Sequence, residues 1–155
     1  MVSSKLAAEI RQKKPFRLLE EEALLNIVRT HEFLQQQQAD FFKQFQLTPT
    51  QYNVLRILRG AGKDGVTCSQ AAERMVAADP DITRLLDRLE SRGWIERERS
   101  REDRRVVISR IMPLGTELLK QIDRPLTELL KRQFSNVGKE RLAELIEILE
   151  SVREA

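Results

Sequence analysis

The sequence predicts a mainly α-helical (α+β) fold in which long helices flank a small head. Apolar residues recur at helical spacing over most of the chain. Within the head, two short helices lie one after the other, separated by a tight turn. Two strand-like runs follow, on either side of the charged stretch SREDRRV at residues 100–106. The expected order of elements is α-α-(β)-α-α-β-β-α-α.

Composition limits the class of protein. A chain of 155 residues, 41% hydrophobic and 33% charged, is expected to fold as one domain over residues 1–155. It has neither a signal-peptide core nor an apolar run near the roughly 20 residues that cross a bilayer, so a cytoplasmic location without a membrane partner is expected. One cysteine, Cys68, and one histidine, His31, cannot build a disulfide or a Cys/His zinc cluster, so we expect no metal and no cofactor.

The first element is one long helix from Pro15 to about Phe45, because Leu24, Val28 and Leu34 lie near one stripe at helical spacing. The stretch LTPTQYNVLRILRGAG, residues 47–62, begins the head with a second helix.

Two capping boxes predict where helices begin in the head. Thr48 and Gln51 form the first, with Pro49 at the first helical position. Thr67 and Gln70 form the second, in VTCSQAAERMV, and its helix should reach about residue 76.

The next helix is predicted from ADPDITRLLDRLESRGW, residues 78–94. Asp79 is the expected cap, Pro80 the first helical residue, and Gly93 the end. Its expected buried face consists of Ile82, Leu85, Leu86 and Leu89. The strands IERERS and VVISRIMP follow and form a hairpin, so residues 47–112 are predicted to be a winged helix-turn-helix.

Two further helices complete the chain. The first runs from Leu114 to Phe134, with a kink expected at Pro125. The second, KERLAELIEILESV, has an apolar seam like that of a coiled coil.

Arginine is concentrated in the helix-turn-helix and the hairpin. The net charge is only +3, but eight arginines and no lysine lie between Arg84 and Arg105. Arginine forks suit phosphates and guanine edges. On the second helix of the helix-turn-helix, predicted from residues 78–94, Thr83 and Arg84 are predicted to read bases. Asp81 would accept from cytosine, and Arg88 lies on the same exposed face.

At the hairpin tip, Arg101, Arg104 and Arg105 are expected to enter an adjacent minor groove, whose negative potential attracts guanidinium groups. Asp103 is expected to hold Arg104 or Arg105 in a fixed orientation. Charged pairs on the strands, from Glu96 and Arg97 onward, are interpreted as ordinary surface.

The run ITRLLDRLESRGWIERERSREDRRVVISRIMPLGTELL resembles the recognition helix, wing and following helix of the MarR family of winged-helix repressors. LTPTQYNVLRIL resembles the family's second helix, and the resemblance covers nearly the whole chain. Residue by residue, Thr83 and Arg84 match the base-contacting part of the recognition helix, and Arg104 matches the wing arginine. One departure is ISRIMPLG, where the family has LT-x-x-G, so Met112 and Pro113 should cap the next helix differently.

The resemblance implies a cytoplasmic homodimeric repressor that binds a palindromic operator and is released by a small lipophilic or aromatic effector. Residues 15–45 and 114–155 would be the dimerisation helices. Their apolar surface independently favours a dimer, the alternative being that they pack on their own subunit. His31 is a candidate contact in an effector cleft, or a side chain packed at an interface. Cys68 is interpreted as a small half-buried residue rather than a redox sensor.

An enzyme is not expected, because the sequence has no phosphate-binding glycine loop, nucleophile elbow or triad spacing. The alternative function is a winged-helix adaptor that binds an acidic protein partner without specific DNA binding. The steep salt dependence of phosphate contacts would separate the two.

Overall fold

The computed structural model describes residues 4–154, and the chain divides after Gln46 into two units. The first unit contains α1 (Lys5–Glu9) and α2 (Leu19–Lys43). The second contains α3 (Pro49–Ala61), a 3-10 turn (Gly62–Asp64), β1 (Val66–Thr67), α4 (Cys68–Arg74), α5 (Ile82–Ser91), β2 (Ile95–Arg99), β3 (Val107–Ile111), α6 (Pro113–Gln133) and α7 (Lys139–Arg153). The predicted order of elements is confirmed, with α1 as an addition. Among residues 4–154, no helix is long and apolar enough to span a membrane.

The first unit differs from the prediction at its start. The helix α1, which the sequence did not predict, is capped by the Ser4 side chain, which accepts a hydrogen bond from the Ala7 N–H. Its five residues are too few to show a helical period. The long helix begins at Leu19 and not at Pro15, because Leu18 is extended (φ −125°, ψ 140°). Three glutamates in the first turn of α2 suit the positive end of the helix dipole.

Both predicted capping boxes are confirmed. In each, the threonine side chain accepts from the glutamine N–H while the glutamine side chain accepts from the threonine N–H, so two unpaired helix donors are satisfied. The helix α4 ends at Arg74, two residues before its predicted end. The helix α6 begins at Pro113, one residue before its predicted start at Leu114, and its cap is Met112, which makes no side-chain hydrogen bond.

The predicted cap of α5 is wrong. The cap is Asp81, whose carboxylate accepts from the Arg84 N–H at 3.2 Å, and the helix begins at Ile82. Asp79 acts one step earlier, where its Oδ1 accepts from the Asp81 N–H at 2.8 Å. An aspartate two residues before another aspartate satisfies the same sequence pattern, so the pattern alone does not choose between them.

The three strands form one antiparallel sheet in the order β1-β3-β2. On the central strand, Ser109 pairs with Val66 on one side and with Arg97 on the other. The approach to β1 needs glycine at position 65, where φ is +66° and a Cβ would lie 2.5 Å from the Ser109 carbonyl oxygen. This sheet fixes the direction in which β2 and β3 leave the core towards the tip.

The core of the second unit forms where α3, α5, the sheet and α6 bury their apolar faces. The residues of α5 that face it are Leu85, Leu86 and Leu89, which confirms most of the predicted inward face, while Ile82 is half-buried. Buried partners from the other elements are Val54, Leu55, Ile57, Leu58, Val66, Ala71, Trp94, Ile95, Leu119, Ile122 and Leu129. The charged face of α5 therefore points away from the core.

A matched pair of glycines tests how closely α6 approaches the start of β2. A Cβ on Gly115 would lie 2.4 Å from the Trp94 carbonyl oxygen, whereas a Cβ on Gly60 in α3 would meet nothing within 4 Å. We expect Gly115→Ala to lower the free energy of unfolding by about 1–3 kcal/mol through overpacking. Gly60→Ala should raise it by up to about 1 kcal/mol through helix propensity. Urea unfolding at one fixed protein concentration measures both, and stabilisation by Gly115→Ala would contradict the close contact.

Candidate nucleic-acid interface

The exposed face of α5 carries two arginines one helical turn apart. Arg84 and Arg88 are both exposed, and residues at this spacing lie one above the other on a helix. Within residues 4–154 neither guanidinium forms an ion pair or a hydrogen bond. Both are therefore available to an external anion.

Thr83 lies beside these arginines, at the edge of a cavity. Its Oγ1 is 3.8 Å from the Cys68 Sγ. The cavity measures about 450 Å³ and is lined by residues from the start of α4, from α5 and from the hairpin, among them Arg97 and Arg105. Cys68 is half-buried there, as expected. Among the residues described, no group of three or more His, Cys, Asp or Glu side chains is placed to hold a metal ion.

Asp81 has a structural role that the sequence did not assign to it. Its Oδ1 caps α5 by accepting from the Arg84 N–H. In the described part of the chain its Oδ2 accepts no hydrogen bond. A contact between this second oxygen and cytosine stays a prediction.

The backbone of the hairpin tip is held by hydrogen bonds among its own residues. The Ser100 N–H donates to the Val106 carbonyl at 2.8 Å, and the Val106 N–H donates to the Asp103 carbonyl at 3.0 Å. The Arg99 Nη1 adds a bond of 3.2 Å to the Arg104 carbonyl. The tip is therefore a defined turn.

Asp103 orders the tip differently from the prediction. Its Oδ1 accepts from the backbone N–H of Arg105 at 2.9 Å. Across residues 4–154 its carboxylate pairs with no guanidinium, so it fixes the backbone and not the arginine side chains. The short side chain of aspartate favours a local hydrogen bond to the backbone N–H two residues further along the chain. The exposed side chains of Arg101, Arg104 and Arg105 have no ion-pair partner in the same range.

Arg97 is not ordinary surface. The side chain is 22% exposed and lies between β2 and α5, where its Nε donates to the Glu90 Oε2 at 2.9 Å. Its Nη2 donates to the Glu90 Oε2 at 2.6 Å and also to the Asp87 Oδ1. Hydrogen bonds to Glu90, and then to Asp87, outweigh the effect of burial and raise the pKa of Arg97 above its ordinary value.

The opposite face of the hairpin also uses one arginine for internal contacts. The Arg110 Nε donates to the Lys63 carbonyl at 2.7 Å, and its Nη1 lies 3.4 Å from the Glu98 Oε2. Glu96, on the same face, is exposed and has no such partner in the part of the chain described. The arginines of α5 and the hairpin thus fall into two groups, those bonded within the protein and those open to solvent.

Comparison with known proteins identifies the fold and its relatives. The MarR family model matches residues 47–107. The HTH-type transcriptional regulator YpoP of Bacillus subtilis is 32% identical over 103 residues, which cover 66% of this chain and 72% of YpoP. A crystal structure of a MarR transcription factor from Planctomyces limnophilus is 39% identical, with a TM-score of 0.69 over 88% of this chain and 98% of that one. The chain belongs to the MarR family.

This membership confirms the resemblance and the predicted winged helix-turn-helix fold. A mutant MarR from E. coli, crystallised in complex with operator DNA, has the same fold, with a TM-score of 0.74 at 23% identity over 96% of this chain and 99% of that one. Together with the transcriptional regulators that are more than 30% identical to it, the family match shows that the chain is a MarR-family transcriptional regulator.

The cap of α5 can be tested by two substitutions at one position. Asp81→Ala should lower the free energy of unfolding by about 1 kcal/mol, because the Arg84 N–H loses its acceptor. Asp81→Asn removes the charge but keeps an oxygen acceptor, so its stability should stay near that of the wild type. Thermal or urea unfolding measures both. An equal loss in the two variants would assign the effect to charge at the helix N-terminus instead.

Proposed function

We propose that the protein is a sequence-specific regulator that binds double-stranded DNA, and that it acts as a homodimeric repressor on a palindromic operator. One observation carries this proposal: five exposed arginines without internal partners in the described chain lie on the two elements with which winged helices contact DNA. They are Arg84 and Arg88 on α5, and Arg101, Arg104 and Arg105 at the tip of the hairpin. The fold shared with an operator-bound MarR supports it.

The recognition helix α5 would enter the major groove with its N-terminal end. Thr83 and Arg84 lie in its first turn, where such helices contact base edges. An arginine fork fits guanine O6 and N7, so a guanine opposite Arg84 is expected. Arg88, one turn later, would contact the groove wall or phosphates, and the free oxygen of Asp81 would accept from cytosine.

The wing, β2 and β3 with residues 100–106, would place arginines in the neighbouring minor groove. Arg101, Arg104 and Arg105 keep their full hydrogen-bonding capacity for this purpose. The bond from the Arg105 N–H to Asp103 shapes the tip before DNA arrives, which lowers the entropy lost on binding.

A homodimer is supported by apolar side chains that the chain leaves exposed. They lie on α2, at Leu24, Ile27, Val28 and Phe33, and on α7, at Leu145, Ile146, Ile148 and Val152. Burial of such surface between two copies is favourable. These residues lie within the segments 15–45 and 114–155, which we propose as the dimerisation helices. Two-fold symmetry would set the recognition helices about 34 Å apart, one turn of DNA.

Control by a small lipophilic or aromatic effector is the second part of the proposal. His31 is exposed on α2 and is the candidate contact for a carboxylate or phenol on such a molecule. An effector that prefers one separation of the two heads would shift the population away from the DNA-binding arrangement. The operator would then be released.

The proposal is tested by selecting bound sequences from a random duplex pool with the purified protein. The selected duplex is then bound at several salt concentrations. We expect an inverted repeat with half-sites about one helical turn apart. On a plot of the logarithm of the affinity against the logarithm of the salt concentration, the slope should be about −0.9 for each phosphate contact. Weak binding without sequence preference would overturn the proposal and favour the adaptor.

Two arginine substitutions should affect operator binding in different ways. Arg84→Ala should cost about 1–3 kcal/mol and relax selectivity at one base position, because a base contact is lost. Arg104→Ala should weaken binding to all duplexes and reduce the salt slope by about 1. Titration of labelled operator and of single-base variants measures both.

The matched control is Arg56→Ala, which removes an exposed arginine of α3 that lies outside α5, the wing and the proposed dimerisation helices and has no ion pair among residues 4–154. It should leave both the operator affinity and the salt slope unchanged. If the Arg84 and Arg104 variants also bound like the wild type, the assignment of the surface would be wrong.

A further inference from the structure

We infer that Arg97 is a positioning residue, which sets the orientation of the wing relative to the recognition helix and thereby governs operator selectivity. The inference rests on the proposed function, because it concerns the same DNA-binding surface. It assigns a role to a side chain that would itself make no base contact.

The contacts of Arg97 join two elements at one point. Both carboxylate oxygens of Glu90 are engaged, Oε2 by the guanidinium and Oε1 by the backbone N–H of Arg97 at 3.2 Å. Asp87, one turn earlier on α5, accepts from the Nη2. Glu90 and Arg97 are each half-buried, so water competes less for these bonds than at an open surface.

The position of Arg97 along β2 explains why this contact would set the orientation of the wing. The chain leaves α5 through Gly93, at φ +71°, and buries Trp94 and Ile95 in the core. Arg97 is two residues further on and lies on the same side of the strand as Ile95. Beyond it, the Arg99 side chain donates to the Arg104 carbonyl at the tip of the same hairpin. Among residues 4–154, Arg97 is therefore the last residue through which β2 is bonded to α5 before the tip.

A fixed angle between helix and wing matters more for specific binding than for non-specific binding. Specific binding requires α5 in the major groove and the wing in the minor groove at the same time. Non-specific binding needs phosphate contacts alone, which tolerate other arrangements. A loosened wing would lose part of the preorganisation that only the specific complex uses.

The alternative role of Arg97, a direct phosphate contact, conflicts with its surroundings. Its Nε and Nη2 already donate to carboxylates, and Asp87 and Glu90 offset its charge. A side chain so occupied acts on DNA through the groups that it positions.

Glu90→Gln tests the inference by the direction of its effect. Removal of a negative charge near bound DNA should, by electrostatics alone, leave duplex binding unchanged or strengthen it. The inference predicts instead that the ratio of operator to competitor affinity falls about tenfold, the size of one mismatched base pair. Competitor binding should be equal or tighter. Arg97→Lys keeps the charge but loses the planar fork, and should lower the ratio similarly.

Glu96→Gln is the matched control, since Glu96 lies on the opposite face of β2 without an ion pair in the described chain. It should keep the wild-type ratio. Thermal unfolding checks that each variant is folded at the assay temperature. If Glu90→Gln does not fold, the affinity ratio of Arg97→Lys tests the inference.

A wild-type ratio in both Glu90→Gln and Arg97→Lys would overturn the inference and leave the proposed function intact. Equal loss of operator and competitor binding would overturn it as well. A wild-type protein that does not distinguish operator from competitor would remove the proposed function, and this inference with it.

Discussion

The burial of Leu85, Leu86 and Leu89 decides which way every other residue of α5 points. Each of these leucines contributes about 1.5–3 kcal/mol on burial, whereas an exposed ion pair contributes about 0–1 kcal/mol. The apolar face therefore sets the rotation of the helix about its axis, and the charged residues lie on the opposite face. Arg84 and Arg88 are exposed because the leucines are buried. The proposed DNA-binding surface is thus fixed by the packing of the core behind it.

Nearby carboxylates determine which arginine side chains are bonded within the protein and which stay available to a ligand. Arg97 meets Glu90 and Asp87 on the neighbouring helix and becomes part of the framework. Arg104 and its neighbours at the tip lie beside Asp103, but that carboxylate is bonded to a backbone N–H. The same residue type therefore serves two purposes within one short stretch of chain, and local geometry alone separates them.

Much of this arrangement could be predicted from sequence, because its signals are local. The threonine–glutamine capping boxes and the leucine spacing of α5 involve residues three or four apart, and they predicted the starts of α3 and α4 and the buried leucines of α5 correctly. The cap at Asp81 was missed because Asp79 fits the same pattern. The contact between Arg97 and Glu90 was missed for a different reason: the two residues meet because the turn at Gly93 brings β2 back beside α5. Contacts that depend on such a turn leave no periodic pattern in the sequence.

We propose that the recognition helix and the wing form one DNA-binding surface. Chemical-shift mapping of the isotope-labelled full chain, titrated with the selected operator duplex, locates the surface that the duplex contacts. Amides of residues 82–88 and of residues 100–106 should shift together, with one saturation point. Shifts confined to the wing, or centred on α7, would contradict it, because the duplex would then be bound by a surface other than the one formed by α5 and the wing.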